Sequence, residues 1–153
     1  MSDAVINIHG YEVILSVCDL ERVKAHGWYK NGINGSPYFA CKCKGKHISL
    51  HRFIVDCPSG MQVDHINGNT LDNRRSNLRV CTKAQNSRNR HTNKNSISGY
   101  KGVYWDNHFK KWITYIRFEN KKIYLGRFDN PEKAYEAYVA ASEKYHGEFG
   151  RIA

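Results

Sequence analysis

Four side chains within 23 residues have the types and spacing to hydrolyse a phosphodiester: Asp64, His65, Asn77 and Asn86. They lie in Val63-Asp64-His65-Ile66-Asn67-Gly68-Asn69, in Asn77-Leu78-Arg79 and in Gln85-Asn86. Such a hydrolysis needs an activated water, positive charge against the developing negative charge, and help for the leaving oxygen. A neutral imidazole accepts a proton from water near neutral pH, which makes His65 the candidate base. A hard cation such as Mg²⁺ takes oxygen ligands, keeps several waters and needs few protein groups. Asp64 and the side-chain oxygen of Asn86 suit it. Asn77 is placed to pin a turn, because Asn side chains bind nearby backbone groups.

These groups need elements to hold them. Residues 57–80 are rich in Gly, Asn and Asp with short apolar anchors at Val63, Ile66, Leu71, Leu78 and Val80, which reads as a loop held by two short strands. Thr82-Lys83-Ala84-Gln85 fits a capping box, so a helix starts there with Asn86 in its first turn. The result is a ββα unit. Asp64 and His65 are neighbours, so in a strand they point to opposite faces; a twist or bulge at the strand end is expected to bring both to the phosphate.

Upstream, Val13-Ile14-Leu15 is a short apolar run, and Leu20 to His26 is expected to form one or two helical turns. Tyr38 to Lys44 and His47 to His51 read as a hairpin about a Gly45-Lys46 turn. Residues 88–98 are polar and basic and read as a linker. Downstream, strands are expected at Lys101 to Trp105, Lys111 to Phe118 and Lys122 to Phe128, with a turn at Asn120-Lys121-Lys122. Asn130-Pro131 opens a helix with Pro at its first position, and Gly147 ends it. Ala134, Tyr138, Ala141 and Tyr145 form its apolar stripe.

Charge names a partner. The 153 residues carry a net charge of +10, with surpluses of +2 in residues 1–56, +4 in 57–93 and +4 in 94–153. A basic surface favours a polyanion, nucleic acid first. No run of about 18 apolar residues is present, so no membrane span is expected. No signal peptide is read at Met1-Ser2-Asp3. The chain is expected in the cytoplasm of a bacterial or phage-infected cell, not secreted, with its five Cys as thiols.

The text from Leu50-His51-Arg52 through Val63–Asn69, Leu71–Arg79 and Gln85-Asn86 resembles the HNH endonucleases, in the phage- and intron-type branch with Asp-His in front and Asn last. The resemblance covers roughly residues 38–90. It implies that His65 is the general base, that Asp64 and Asn86 hold one Mg²⁺ or Mn²⁺, and that Asn77 is the structural Asn of the catalytic group. His51 is a further catalytic candidate at the scissile phosphate. The final position is Asn and not His, which favours Mg²⁺ or Mn²⁺ over a softer metal. Arg74, Arg75, Arg79, Arg88 and Arg90 are the expected DNA contacts of this half.

Residues 97–150 interleave aromatics with bases. Ser98–Val103, Tyr124–Phe128 and Ala134–Tyr138 resemble the APETALA-type, ethylene-response-factor-like DNA-binding domain. By that resemblance Lys101, Tyr104, Tyr115, Arg117, Lys122, Tyr124 and Arg127 fall where a three-stranded sheet meets DNA. Tyr115 and Arg117 are expected on one face, with Ile116 and Phe118 towards the helix. Lys111, Ile113, Tyr115 and Arg117 are not all expected to share a face. Several family Arg positions differ here, notably Tyr104 and Asp106, so the family's sequence preference does not transfer.

Cys41, Cys43, Cys57 and Cys81 are a rival metal set. The Cys-X-Cys pair is expected to diverge, and neither Cys57 nor Cys81 has a close partner in sequence, so structural zinc is not expected. The reading is an α+β chain: a strand-rich extension at 1–56 packing on a ββα-metal unit at 57–90, a basic linker at 91–97, and a βββα DNA-binding domain at 98–153. Its expected activity is cleavage of double-stranded DNA, of the site-specific homing type, as a monomer or homodimer. The alternative is a DNA-binding regulator carrying an inactive nuclease remnant. An RNA-processing role is weaker, for want of an RNA-binding motif.

Overall fold

The computed structural model describes residues 2–32, 37–89, 96–150 and 152. The architecture is α+β, divided into two compact units, Met1–Asn86 and Ser87–Ala153. Arg90 and residues 91–95 of the expected linker lie outside the described residues. Among those residues, no helix is long and apolar enough to cross a membrane.

Among the described residues the first unit contains three small sheets and short helices, the last of which runs across its boundary with the second unit. Strands β1 (Asp3–Ile8) and β2 (Tyr11–Ser16) form a hairpin whose turn residues, His9 and Gly10, have φ of 52° and 86°. Two-residue hairpin turns need that left-handed backbone. Helix α1 (Leu20–Lys24) follows where helical turns were expected. Strands β3 (Tyr29–Lys30), β4 (Phe39–Cys43) and β5 (Lys46–Ser49) make the second sheet, in that order. The expected hairpin is present, but it turns at Lys44-Gly45, with φ of 49° and 77°, one residue before the expected position.

The second strand of that hairpin stops at Ser49. Leu50 and His51, expected to continue the alternation, instead begin helix α2 (Leu50–Ile54). Leu50, Phe53 and Ile54 are all buried on it, and an i, i+3, i+4 apolar set is satisfied by a helix and not by a strand. Strands β6 (Gln62–His65) and β8 (Leu78–Cys81) pair antiparallel, and helix α3 (Lys83–Arg88) follows. Strand β7 (Asp72–Asn73), from the loop between them, pairs in parallel with β2. The extension and the ββα elements therefore share one core, in which Val13, Leu15, Val23, Phe39, Leu50, Ile54, Val63 and Leu78 are buried together.

In the second unit, β9 (Val103–Asp106), β10 (Lys111–Phe118) and β11 (Lys121–Phe128) form an antiparallel sheet in the order β11-β10-β9, and helix α4 (Pro131–His146) crosses it. Asn130 caps α4, its Oδ1 accepting from Lys133 N at 2.9 Å, and Gly147 stands at the other end. Ile116, Tyr138 and Ala141 are buried between sheet and helix, with Ile123, Leu125, Tyr135 and Tyr145 around them. The β10–β11 turn falls at Glu119-Asn120, with φ of 47° and 62°.

Gly102 fits its place twice over. Its φ is 75°, and a Cβ there would stand 2.2 Å from the ring of Tyr138. Gly102→Ala is expected to destabilise the second unit by roughly 2–4 kcal/mol, combining overpacking with a left-handed backbone. Thermal unfolding of the variant checks this, and an unchanged midpoint would contradict the packing described.

Candidate active site and nucleic-acid interface

The loop between β6 and β8 is held by side chains where regular backbone pairing is missing. Asn77, 7% exposed, accepts from the backbone N–H of Asn67 at 3.0 Å through Oδ1. Its Nδ2 donates to Asn67 Oδ1 at 3.0 Å and to the carbonyl of Asp72 at 2.8 Å. Asn67 Nδ2 donates to Asp72 Oδ2 at 2.8 Å. Asn77 is thus a positioning residue, its amide engaged with the loop.

This knot sets the register of the strands. Asp64 lies opposite Arg79 and His65 opposite Leu78, with Val63 opposite Val80 and Gln62 opposite Cys81. Alternation puts Gln62, Asp64, Arg79 and Cys81 on one face of the ladder. Asp64 is 6% exposed, and its Oδ2 accepts from Arg79 Nε at 3.0 Å and Nη2 at 2.8 Å. A buried carboxylate needs such a partner. Both arms of the expected capping box form: Gln85 N donates to Thr82 Oγ1 at 3.2 Å, and Thr82 N donates to Gln85 Oε1 at 2.8 Å. The helix start so fixed carries Asn86, whose Nδ2 donates to Gln62 Oε1 at 2.8 Å. Asn86 therefore sits on the Asp64 side of β6.

His65 takes the other face. The ladder is regular through Gln62–His65, so no bulge turns the imidazole to the Asp64 side. Its Nε2 is 3.4 Å from Asn73 Oδ1, and its ring lies 5.3 Å from His51 and 6.3 Å from Tyr38, centroid to centroid. Tyr38 and His51 meet edge-on at 5.5 Å. Burial lowers the pKa of His65, against opposing pulls from the Asn73 hydrogen bond and the Asp64 charge. His51 is pushed down to about 3, by burial first and then by His65 and Arg52. Burial raises the Tyr38 phenol, helped by the Asp64 charge. Both imidazoles are thus disposed to be neutral near pH 7. Sequence reasoning missed Tyr38, Asn73 and Gln62; only Gln62, two residues before Asp64 on the same strand, carried a local signal.

The donors fit a hard cation. One carboxylate and one side-chain amide flank the same face of β6 and offer oxygen ligands. That is an all-oxygen, low-count set. Among the described residues no three His, Cys, Asp or Glu side chains converge as a metal-binding group. The expected divergence of Cys41 and Cys43 is corrected here: both lie on β4 two residues apart, and alternation gives them one face. Cys41 and Cys81 are buried, while Cys43 and Cys57 are half-buried.

Three of the expected DNA-contacting arginines are engaged inside the first unit. Arg74 donates to both oxygens of Asp72 at 2.7 Å and to Asp3 at 2.9 Å. Arg75 grips Asp19 at 2.8 and 2.7 Å and the carbonyl of Ile54 at 2.7 Å. Arg79 holds Asp64. In the second unit, Arg88 lies over the ring of Phe118, its carbonyl accepts from Lys101 Nζ, and Arg90 lies outside the described residues.

In the second unit Tyr104, Tyr115, Arg117, Lys122, Tyr124 and Arg127 share one face of the sheet, while Lys101 precedes β9. The one register shift on β10–β11 leaves Leu125 as the extra residue of β11, so alternation along β10 is unbroken. Lys111, Ile113, Tyr115 and Arg117 therefore share a face, correcting the expectation that they do not; Thr114 and Ile116 are buried on the other. Tyr104 pairs with Ile113, Tyr124 with Tyr115, and Lys122 with Arg117. Lys122 Nζ lies 3.7 Å from the centroid of Tyr115, and the guanidinium of Arg127 lies 3.5 Å from that of Phe109. Cation–π stacking of this kind holds long basic side chains in place.

A carboxylate and an amide lie on one face of β6, an imidazole with a lowered pKa lies on the other, and a basic aromatic sheet follows in the chain. Residues 56–88 match the HNH endonuclease family, and residues 98–148 match the AP2 domain. Protein 3.8 of Escherichia phage T7 is 34% identical over 95 residues, covering 62% of this chain and 78% of that protein. An uncharacterized HNH endonuclease of Acanthamoeba polyphaga mimivirus is 35% identical over 137 residues, covering 83% of this chain and 66% of that protein. No solved structure matches at a significant level. The chain belongs to the HNH endonuclease family and carries an AP2 domain after its HNH segment.

The half-buried His51 gives a pH prediction. Its pKa is about 3 when folded against 6.5 for an ordinary imidazole. The unfolded chain therefore binds the extra proton between those values, and stability falls as pH drops from 6.5 towards 3. The thermal midpoint of the first unit is expected to fall more steeply between pH 6.5 and 4.5 in the wild type than in His51→Gln, followed by circular dichroism. Equal slopes would contradict the burial assigned to His51.

Proposed function

We propose that the protein is a metal-dependent DNA endonuclease of the site-specific homing type, cutting phosphodiester bonds of double-stranded DNA. The observation that carries the reading is the placement of Asp64 and Asn86 on one side of β6, with His65 at the adjoining position. In a two-stranded ladder, a phosphate at the C-terminal end of β6 is within reach of both faces. His65, with a lowered pKa, accepts the proton of the attacking water. Asn73, through the hydrogen bond at Nε2, orients the ring, while His51 and Tyr38 wall it from bulk water. Asp64 and Asn86 hold a Mg²⁺ or Mn²⁺ ion, which when bound offsets the charge on the phosphate and the leaving oxygen. The exposed face of the β9–β11 sheet, with Tyr104, Arg117, Lys122, Tyr124 and Arg127, supplies target binding.

A plasmid-cleavage assay in Mg²⁺ or Mn²⁺ tests this. Wild type is expected to nick or linearise DNA, and His65→Ala to lose at least about 100-fold in rate with DNA binding kept. A protein that shifts DNA in a gel but cuts no tested substrate, its own genomic locus included, is instead a regulator with an inactive remnant. Arg117→Ala is expected to weaken target binding by about 1–3 kcal/mol with the first unit still folded; unchanged affinity would show that the sheet face is misassigned.

A further inference from the structure

The positive charge of the first unit is concentrated away from its loop arginines. Arg22, Lys24, Arg74, Arg75 and Arg79 are each paired with a carboxylate of that unit, and Arg52 donates to the carbonyls of Met61 and Pro58. The β4–β5 hairpin is different. From Tyr29 to Val55 the chain contains no Asp or Glu, yet it holds Lys30, Lys42, Lys44, Lys46 and Arg52. Lys42, Lys44, Lys46 and His47 are exposed, and among the described residues no carboxylate pairs with those three lysines.

Geometry ties this hairpin to the chemistry. Its two ends are Tyr38, just before β4, and His51, just after β5, and both rings lie against His65. Lys42 and His47 are direct cross-strand partners on one face, and Tyr29 of β3 joins them there, its phenol hydrogen-bonded to His47 Nδ1. Lys44 stands in the two-residue turn at the tip. The six residue steps of extended chain from Tyr38 to Lys44 span about 20 Å. Along B-DNA that distance is about six base pairs.

We infer that the β4–β5 hairpin is a phosphate-backbone grip, in which Lys42, Lys44 and Lys46 hold duplex DNA about six base pairs from the bond to be cut. It lies outside both matched stretches, 56–88 and 98–148. The inference rests on the DNA-cleavage reading and adds to it. The grip reads charge and not bases: lysine ammonium groups on a flexible stem are point charges, without the fork that recognises a base edge. It anchors the duplex over the His65 site, while base selection is left to the second unit.

The test compares the full chain with the triple variant Lys42→Gln, Lys44→Gln, Lys46→Gln, using fluorescence anisotropy on a duplex that the wild type cuts, without divalent cation and across a salt series. Each phosphate contact contributes about 0.9 to the slope of log K against log salt, so the variant is expected to lose about 2–3 from the slope. The triple Lys→Arg variant is expected to keep it, which separates lost charge from lost folding. Ethylation interference is expected at phosphates about six base pairs from the wild-type cut, and to vanish there in the Gln variant. A folded Gln variant with the wild-type slope and interference overturns the grip alone. A wild type that neither binds nor cuts duplex DNA overturns the cleavage reading and the grip together.

Discussion

The carboxylate of Asp72 is the interaction on which the nuclease unit rests. It is 2% exposed and is met by Arg74 on both oxygens and by Asn67 on one, while its own carbonyl accepts from Asn77. Those hydrogen bonds hold its pKa below the ordinary carboxylate range, Arg74 contributing most. A buried charge is tolerated only when answered in this way, and removing one partner of such a pair is far costlier than the pair is worth. Here the set closes a loop of Asn, Gly and Asp that has little regular pairing of its own. Because β7 begins at Asp72, the same residue joins the loop to β2, and because Asn73 follows, it delivers the hydrogen-bond partner of His65.

This arrangement explains why the arginines of the loop are each tied to a carboxylate. The unit has few carboxylates, and Asp19, Asp64 and Asp72 are all buried. Each must be neutralised from nearby, and Arg75, Arg79 and Arg74 do so with forked, multiply bonded geometry that lysine does not match. Arginine therefore builds the scaffold while lysine remains at the surface. The second unit divides labour differently, holding Lys122 and Arg127 over aromatic rings on an open sheet face.

What was legible in the sequence was what is local. The capping box at Thr82, the ββα order, the βββα order, the Asn130 cap and the α4 stripe all depend on residues a few positions apart, and the motif from Val63 to Asn86 is compact enough to read directly. What was not legible depends on distant pairing. Strands β3 and β7 have two residues each and exist only through β4 and β2. The pairing of Arg75 with Asp19 spans 56 positions, and nothing in the local text announces it. Tyr38 likewise comes to His65 from 27 positions away, through ring contacts with His51 and His65. Two expectations went wrong on strand alternation itself, at Cys41–Cys43 and along Lys111–Arg117, where residues two apart share a face.

The proposed function divides labour at one strand end, with Asp64 and Asn86 holding the cation and His65 moving the proton. Mn²⁺ binding to the full chain, followed by electron paramagnetic resonance without DNA, tests it most directly. One site per chain is expected, lost in Asp64→Ala and in Asn86→Ala and kept in His65→Ala. Binding that survives Asp64→Ala, or that disappears with His65→Ala in a folded protein, would contradict it.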